Sequence, residues 1–135
     1  MTFVDTNVLL YAASTEPSEA AKAAAARAIL DRTDLVLSVQ VLQEFYVQAT
    51  RTTRADRLTR HQASSLVEAW LRFTVVDVTV PLMRAAIETA ARHQISYWDA
   101  AIVEAARCAG CRTLLSEDLG DDHDFAGVRV ENPFK

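Results

Sequence analysis

Four acids in this chain sit where acids are rare. Asp5 lies between Phe3-Val4 and Thr6-Asn7-Val8-Leu9-Leu10. Glu44 lies inside Val41-Leu-Gln-Glu-Phe-Tyr-Val47, and Asp99 between Tyr97-Trp98 and Ala100-Ala-Ile-Val103. Asp118 comes just after Thr113-Leu-Leu-Ser116. Carboxylates are normally absent from apolar surroundings. Gathered in one place they would repel one another strongly unless some were protonated or a cation stood among them. Oxygen-only donors select a hard divalent ion, Mg²⁺ or Mn²⁺. Such an ion acidifies water and stabilises charge on a phosphoryl oxygen, so a phosphodiester is the natural substrate. Each acid also has a plainer use. Asp5 could open a turn and Asp99 could complete the capping box Ser96-x-x-Asp99. Glu44 could face solvent on a helix, and Asp118 could form a turn beside Glu117, Asp121, Asp122 and Asp124. The grouping is more specific than any single member.

The elements that would position these acids can be read from periodicity and caps. Thr2–Asp5 reads as a buried strand and Asn7–Ala13 as a brief helix. Pro17 suits a first helical position, and Ser18–Leu30 reads as an Ala-rich helix. Leu35–Leu37 is a second strand, after which Ser38 caps a helix with Val41, Leu42, Phe45, Tyr46 and Ala49 on its apolar face. Arg57–Phe73 repeats the helical pattern, and the β-branched run Thr74–Val78 is a third strand. Thr79-Val-Pro81 opens a helix to about Gln94, and Ser96 caps another from Tyr97 to Ala109. Arg112–Ser116 is a fourth strand, Glu117–Ala126 an acidic loop and Val128–Val130 a final strand.

Strands alternating with helices argue for an α/β fold, with a short, mainly parallel sheet of four to five strands flanked by helices. The two helices around 38–50 and 57–73 form a helical hairpin insertion. In a parallel sheet all strand C-termini share one edge, and crossover helices begin at that edge. Asp5 and Asp118 follow strands, and Asp99 is in the first turn of a helix. Glu44 is about two turns into its helix, ~9 Å from its start. All four are therefore expected at the edge where open α/β sheets bind ligands.

The length, 135 residues, supports a single domain spanning 1–135. Half the residues are hydrophobic and 24% charged, which argues against disorder. Only three Gly and three Pro argue against a turn-rich all-β fold. The N-terminus has no basic start and carries Asp5 in its apolar run, and no stretch approaches a membrane span, so a cytoplasmic protein is expected. In Cys108-Ala-Gly-Cys111 the pair follows an apolar helical run, with Gly110 placed as a C-cap. A helix C-terminus has the wrong dipole for a reactive thiolate, and zinc lacks further ligands, so a structural role is expected.

At this point the chain resembles PIN-domain proteins of the VapC toxin type. The resemblance is carried by Phe3-Val-Asp-Thr-Asn-Val-Leu-Leu-Tyr11, Ser38-Val-Gln-Val-Leu-Gln-Glu-Phe45, Ser96-Tyr-Trp-Asp-Ala-Ala-Ile102 and Leu114-Leu-Ser-Glu-Asp-Leu119. The tail Asp124-Phe-Ala-Gly-Val-Arg-Val-Glu-Asn-Pro-Phe134 also matches. The resemblance implies a PIN-like fold and an endoribonuclease using Mg²⁺ or Mn²⁺ held by Asp5, Glu44, Asp99 and Asp118. Thr6, Asn7 and Ser116 match polar positions that orient the acids. A further acid seen just after the fourth in some members is not met here, where Gly120 stands, so Asp121 or Asp122 would have to substitute. The resemblance also implies an RNA substrate, a VapB-like antitoxin that inserts a segment into the cleft, and a homodimer. Tyr46, Val47 and Trp70 are the candidates for an exposed contact face on the helical pair.

The formal net charge is −4, against the habit of nucleic-acid binders. The densest basic stretch is Arg51, Arg54, Arg57 and Arg60, every third residue, with His61 beside them and Asp56 opposing. These are the candidates for phosphate contacts. Two other function classes compete with the nuclease. A receiver-like Mg²⁺-binding signalling domain needs an acidic pair after the first strand and a late Lys. This chain has Asp5 alone there, and its lysines are Lys22 and Lys135. The other is a catalytically silent PIN-fold interaction module.

Overall fold

The computed structural model describes all 135 residues. Six strands form one sheet: β1 (Thr2–Val4), β2 (Leu35–Ser38), β3 (Thr74–Val76), β4 (Thr113–Leu115), β5 (Asp124–Phe125) and β6 (Val128–Glu131). Their order is β3-β2-β1-β4-β6-β5, and every pairing is parallel except β5 with β6. Six α-helices accompany them: α1 (Thr6–Ala13), α2 (Ala20–Leu30), α3 (Val39–Ala49), α4 (Arg60–Trp70), α5 (Val80–His93) and α6 (Tyr97–Cys108). A single 3₁₀ turn, Pro17–Glu19, precedes α2.

The central strands are short and buried on both faces. Every residue of β1 and β2 is buried, in uninterrupted runs rather than the alternation of a one-sided sheet. From β1 the chain steps outward to β2 and β3, then returns past β1 to β4. Right-handed crossovers taken in opposite directions put α1–α4 and α5–α6 on opposite faces. Helix α6 is the most enclosed, with Ala100–Ala106 all buried where it packs on β2, β4 and β6. Its small Ala side chains let the helix approach the sheet closely. It ends as Gly110 implied: the Cys111 and Gly110 N–H groups donate to the Ala106 and Arg107 carbonyls, with Gly110 at φ +76°. Cys108 and Cys111 are both unbridged.

The sequence-derived elements need four corrections. Helix α4 starts at Arg60, not Arg57, because Thr59 and Gln62 form a reciprocal capping box that stops it there. Arg51, Arg54 and Arg57 therefore lie in the α3–α4 loop. Strand β3 ends at Val76, leaving Asp77 and Val78 exposed. The sheet has one strand more than expected, because β5 lies within the stretch read as an acidic loop. It pairs through a two-residue turn with Ala126 at φ +51° and Gly127 at φ +101°. Finally, Trp70 is not on an exposed face. It is 5% exposed and packs edge-on against Phe45 at 4.7 Å.

Candidate active site

The reversal of strand order falls between β1 and β4, and loops leaving those two strands part in opposite directions. A crevice opens there, at the carboxyl edge of the sheet. Asp5 is the first residue beyond β1, and its N–H still donates to the Leu115 carbonyl at 3.0 Å. It is also the N-cap of α1, and its Oδ1 accepts from the Thr6 N–H at 2.7 Å. Its Oδ2 accepts from Ser116 Oγ at 2.7 Å, across from the end of β4. This carboxylate is 8% exposed. Burial pushes the Asp5 carboxyl up to about 6 against the two hydrogen bonds, and repulsion from Glu44 and Asp118 adds to the rise.

The other acids arrive from three further elements. Glu44, on α3, accepts from Thr6 Oγ1 at 2.7 Å and from Gln40 Nε2 at 3.3 Å. Gln40 is buried and also donates to the Trp98 carbonyl at 3.1 Å, tying α3 to the start of α6. Asp99 sits in the first turn of α6, where its N–H donates to the capping Ser96 Oγ at 3.0 Å. Asp118 lies on the turn after β4; its Oδ2 accepts from Asn7 Nδ2 at 3.1 Å and its N–H donates to Ser116 Oγ at 3.1 Å. Asp5, Glu44, Asp99 and Asp118 line one cleft of about 170 Å³ with Thr6, Asn7, Leu10, Gln48 and Ile102. Thr6 contacts Asp5 and Glu44, Ser116 contacts Asp5 and Asp118, and Asn7 contacts Asp118 and, at 3.4 Å, Ser116. Asp121 does not join them: it accepts from the Asn132 N–H at 2.8 Å and pairs with Lys135. Asp122 pairs with Arg129 instead.

No basic side chain forms an ion pair with any of the four acids. Glu104 shows the contrast. It is as buried as Asp5, 7% exposed, whereas Glu44 and Asp99 are half-buried and Asp118 is exposed, yet Arg107 Nε pairs with Glu104 at 3.1 Å and Thr89 Oγ1 donates to it at 2.9 Å. The cleft's donor set is thus four carboxylates without a counter-charge, which in chemistry fits a hard divalent cation. As the side chains lie, no three acidic, His or Cys groups stand close enough together to hold an ion.

Sequence reasoning missed Gln40 and Gln48, although they stand four residues either side of Glu44 and therefore on the same helix face. Of the arginines, Arg51 lines a cavity of about 280 Å³ that shares Glu44 and Gln48 with the cleft. Arg54 is paired with Asp56 at 2.9 Å. Arg57 and Arg60 are exposed. A larger, apolar cavity of about 420 Å³ lies between α3, α4 and β3, with Tyr46 and Val47 in its wall and none of the acids. No helix is long and apolar enough to cross a membrane.

Solved structures share this architecture at low sequence identity. VapC20 of Mycobacterium tuberculosis, a sarcin-ricin loop cleaving toxin, superposes with a TM-score of 0.69 at 21% identity, covering 87% of this chain and 90% of its own. A toxin–antitoxin complex from Klebsiella pneumoniae gives 0.72 at 19%, covering 100% and 99%. DNA-bound VapBC from Salmonella typhimurium gives 0.66 at 18%, covering 98% and 99%. No curated protein matches the chain. The PIN domain family model matches residues 2–126, which takes in all four acids, and the chain belongs to the PIN-domain family.

Proposed function

We propose that this protein is a Mg²⁺- or Mn²⁺-dependent endoribonuclease of the VapC toxin type. The observation that carries the reading is four carboxylates with no basic partner lining one cleft at the switch point of the sheet. Asp5, Asp99 and Asp118 would hold the ion directly. Glu44 would hold it through water or take the proton from the attacking water. A divalent ion bound there acidifies water and stabilises charge developing on the phosphoryl oxygen. The chain itself supplies the orientation. Ser116 and the Thr6 N–H fix Asp5, Thr6 and Gln40 fix Glu44, and Asn7 fixes Asp118. Arg51, beside Glu44, is the arginine placed to meet a phosphate next to the scissile one. Arg57 and Arg60 extend the contact, while Arg54 is committed to Asp56.

The structural relatives are toxins and toxin–antitoxin complexes. That supports an RNA substrate and an antitoxin partner; on the same reading the antitoxin is VapB-like and blocks the cleft, and the protein assembles as a homodimer. The test is cleavage of single-stranded RNA with Mn²⁺ added or withheld, in wild type and Asp5→Asn. Cleavage by wild type with Mn²⁺ alone is expected. Metal-independent cleavage, or full activity in Asp5→Asn, would overturn the mechanism. Mn²⁺ binding without cleavage of any RNA would instead favour the silent interaction module.

A further inference from the structure

Asp118 stands on a turn rather than on a regular element. Residues 116–120 are irregular backbone between β4 and β5, so side chains from elsewhere must hold them. Asn7 of α1 provides one hold: its Nδ2 donates to Asp118, and its Oδ1 accepts from the Glu117 N–H at 3.4 Å. A second comes from α1 and α2 together. Tyr11 Oη donates to Glu117 Oε2 at 2.6 Å. Lys22 Nζ donates to Tyr11 Oη at 3.3 Å and forms an ion pair with Glu117 Oε1. The Tyr11 ring is itself fixed, edge-on to Phe134 at 4.9 Å. Glu117 and Asp118 share the wall of a cavity of about 200 Å³ that adjoins the acid cleft through Asn7, Leu10 and Asp118.

Glu117 is the immediate neighbour of a candidate metal ligand. Left unpaired, it would be a free carboxylate in the cavity adjoining the cleft, adding repulsion beside Asp118 and offering a cation a competing donor. Paired with Lys22 and Tyr11, it becomes a strut between the turn and two helices. We infer that Lys22, acting through Tyr11 and Glu117, is a positioning residue that presents Asp118, rather than Glu117, to the metal cleft. This rests on the metal reading of the cleft given above. Groups that hydrogen-bond directly to a metal ligand typically set metal affinity by tenfold or more, and Lys22 acts on Asp118 through the neighbouring Glu117.

The experiment is Mn²⁺ titration calorimetry on the full chain, with melting temperatures measured alongside. Wild type is compared with Lys22→Met, Lys22→Arg, Tyr11→Phe and Asp5→Asn. Lys22→Met is expected to weaken Mn²⁺ binding by about tenfold, with Lys22→Arg restoring it. Tyr11→Phe, which removes a hydroxyl but keeps the packing on Phe134, is expected to fall between them with little change in melting. Wild-type affinity in both Lys22→Met and Tyr11→Phe overturns the positioning role and leaves the metal reading standing. A loss that Arg does not rescue, with melting lowered in both Lys22 variants, also overturns it, because Lys22 then serves only the fold. No Mn²⁺ binding by wild type overturns the metal reading and this inference with it.

Discussion

Asp5 does two jobs at one atom pair: it caps α1 and faces three other carboxylates. Its acidity records the conflict. Burial raises its carboxyl to about 6 from an ordinary value of 3.8. The folded chain therefore keeps this proton to higher pH than the unfolded chain does. Ionising Asp5 costs stability as pH climbs from 3.8 through 6, and the full cost, on the order of 3 kcal/mol, is present at pH 7. Metal-free Asp5→Asn should accordingly melt above wild type at pH 7 and level with it at pH 4. A melting difference that does not vary with pH would contradict this. Bound metal requires the deprotonated carboxylate, so Mn²⁺ affinity of the wild type should fall as pH drops through 6. The four acids were legible as unusual from their apolar neighbours. Glu104 was not distinguished from them by that criterion, since it sits in the equally apolar Val103-Glu-Ala105. Only the arrival of Arg107 and Thr89 beside it sets it apart.

Arg107 shows how one side chain can join elements. Besides pairing with Glu104, its guanidinium donates to the carbonyls of Phe125 at 2.7 Å and Ala126 at 2.8 Å. It thus ties α6 to the β5–β6 hairpin. Arg107→Met should cost about 2 kcal/mol by leaving the buried Glu104 without its counter-charge, Thr89 being its remaining donor. Chemical denaturation measures the loss, and hydrogen exchange should show the hairpin amides opening first. A loss well under 1 kcal/mol would mean that the pair contributes little. The hairpin was invisible in the sequence because its turn puts Ala126 in a left-handed conformation, where Asn or Gly is the usual signal. The helix starts were easier to read: Ser38 and Ser96 cap as expected, and the helix expected to open at Thr79-Val-Pro81 has Thr79 as its cap. The two tryptophans separate by burial, not by sequence. Trp70→Ala should cost about 4 kcal/mol, as a large core truncation does. Trp98, 63% exposed, should tolerate the same change with little loss of stability.

Across the whole molecule, the proposed RNA substrate would have to approach a chain of net charge −4 whose cleft is lined by four acids. The arginines of the α3–α4 loop are the local remedy, but pairing makes them unequal. Arg51→Ala and Arg57→Ala should each lower the slope of log RNA affinity against log salt by about 1. Arg54→Ala should leave that slope nearly unchanged, because Asp56 already neutralises Arg54. Equal effects from all of these arginines would show that the loop rearranges on RNA.

Alternation of strand and helix patterns sufficed to establish the α/β class, because the helices show a 3.6-residue apolar period while the strands are short, continuous apolar runs. Together with the parallel-sheet rule it also placed four acids at one edge. What sequence could not supply was pairing. Which carboxylate meets an Arg, which hydroxyl reaches which oxygen, and whether Trp70 faces solvent or Phe45 all depend on residues far apart in the chain. Thr6 reaches Glu44 only once β1 and β2 lie side by side, and Ser116 reaches Asp5 and Lys22 reaches Glu117 only once β1 and β4 do. Local propensity acts over a few residues; these contacts span dozens, and packing alone selects them.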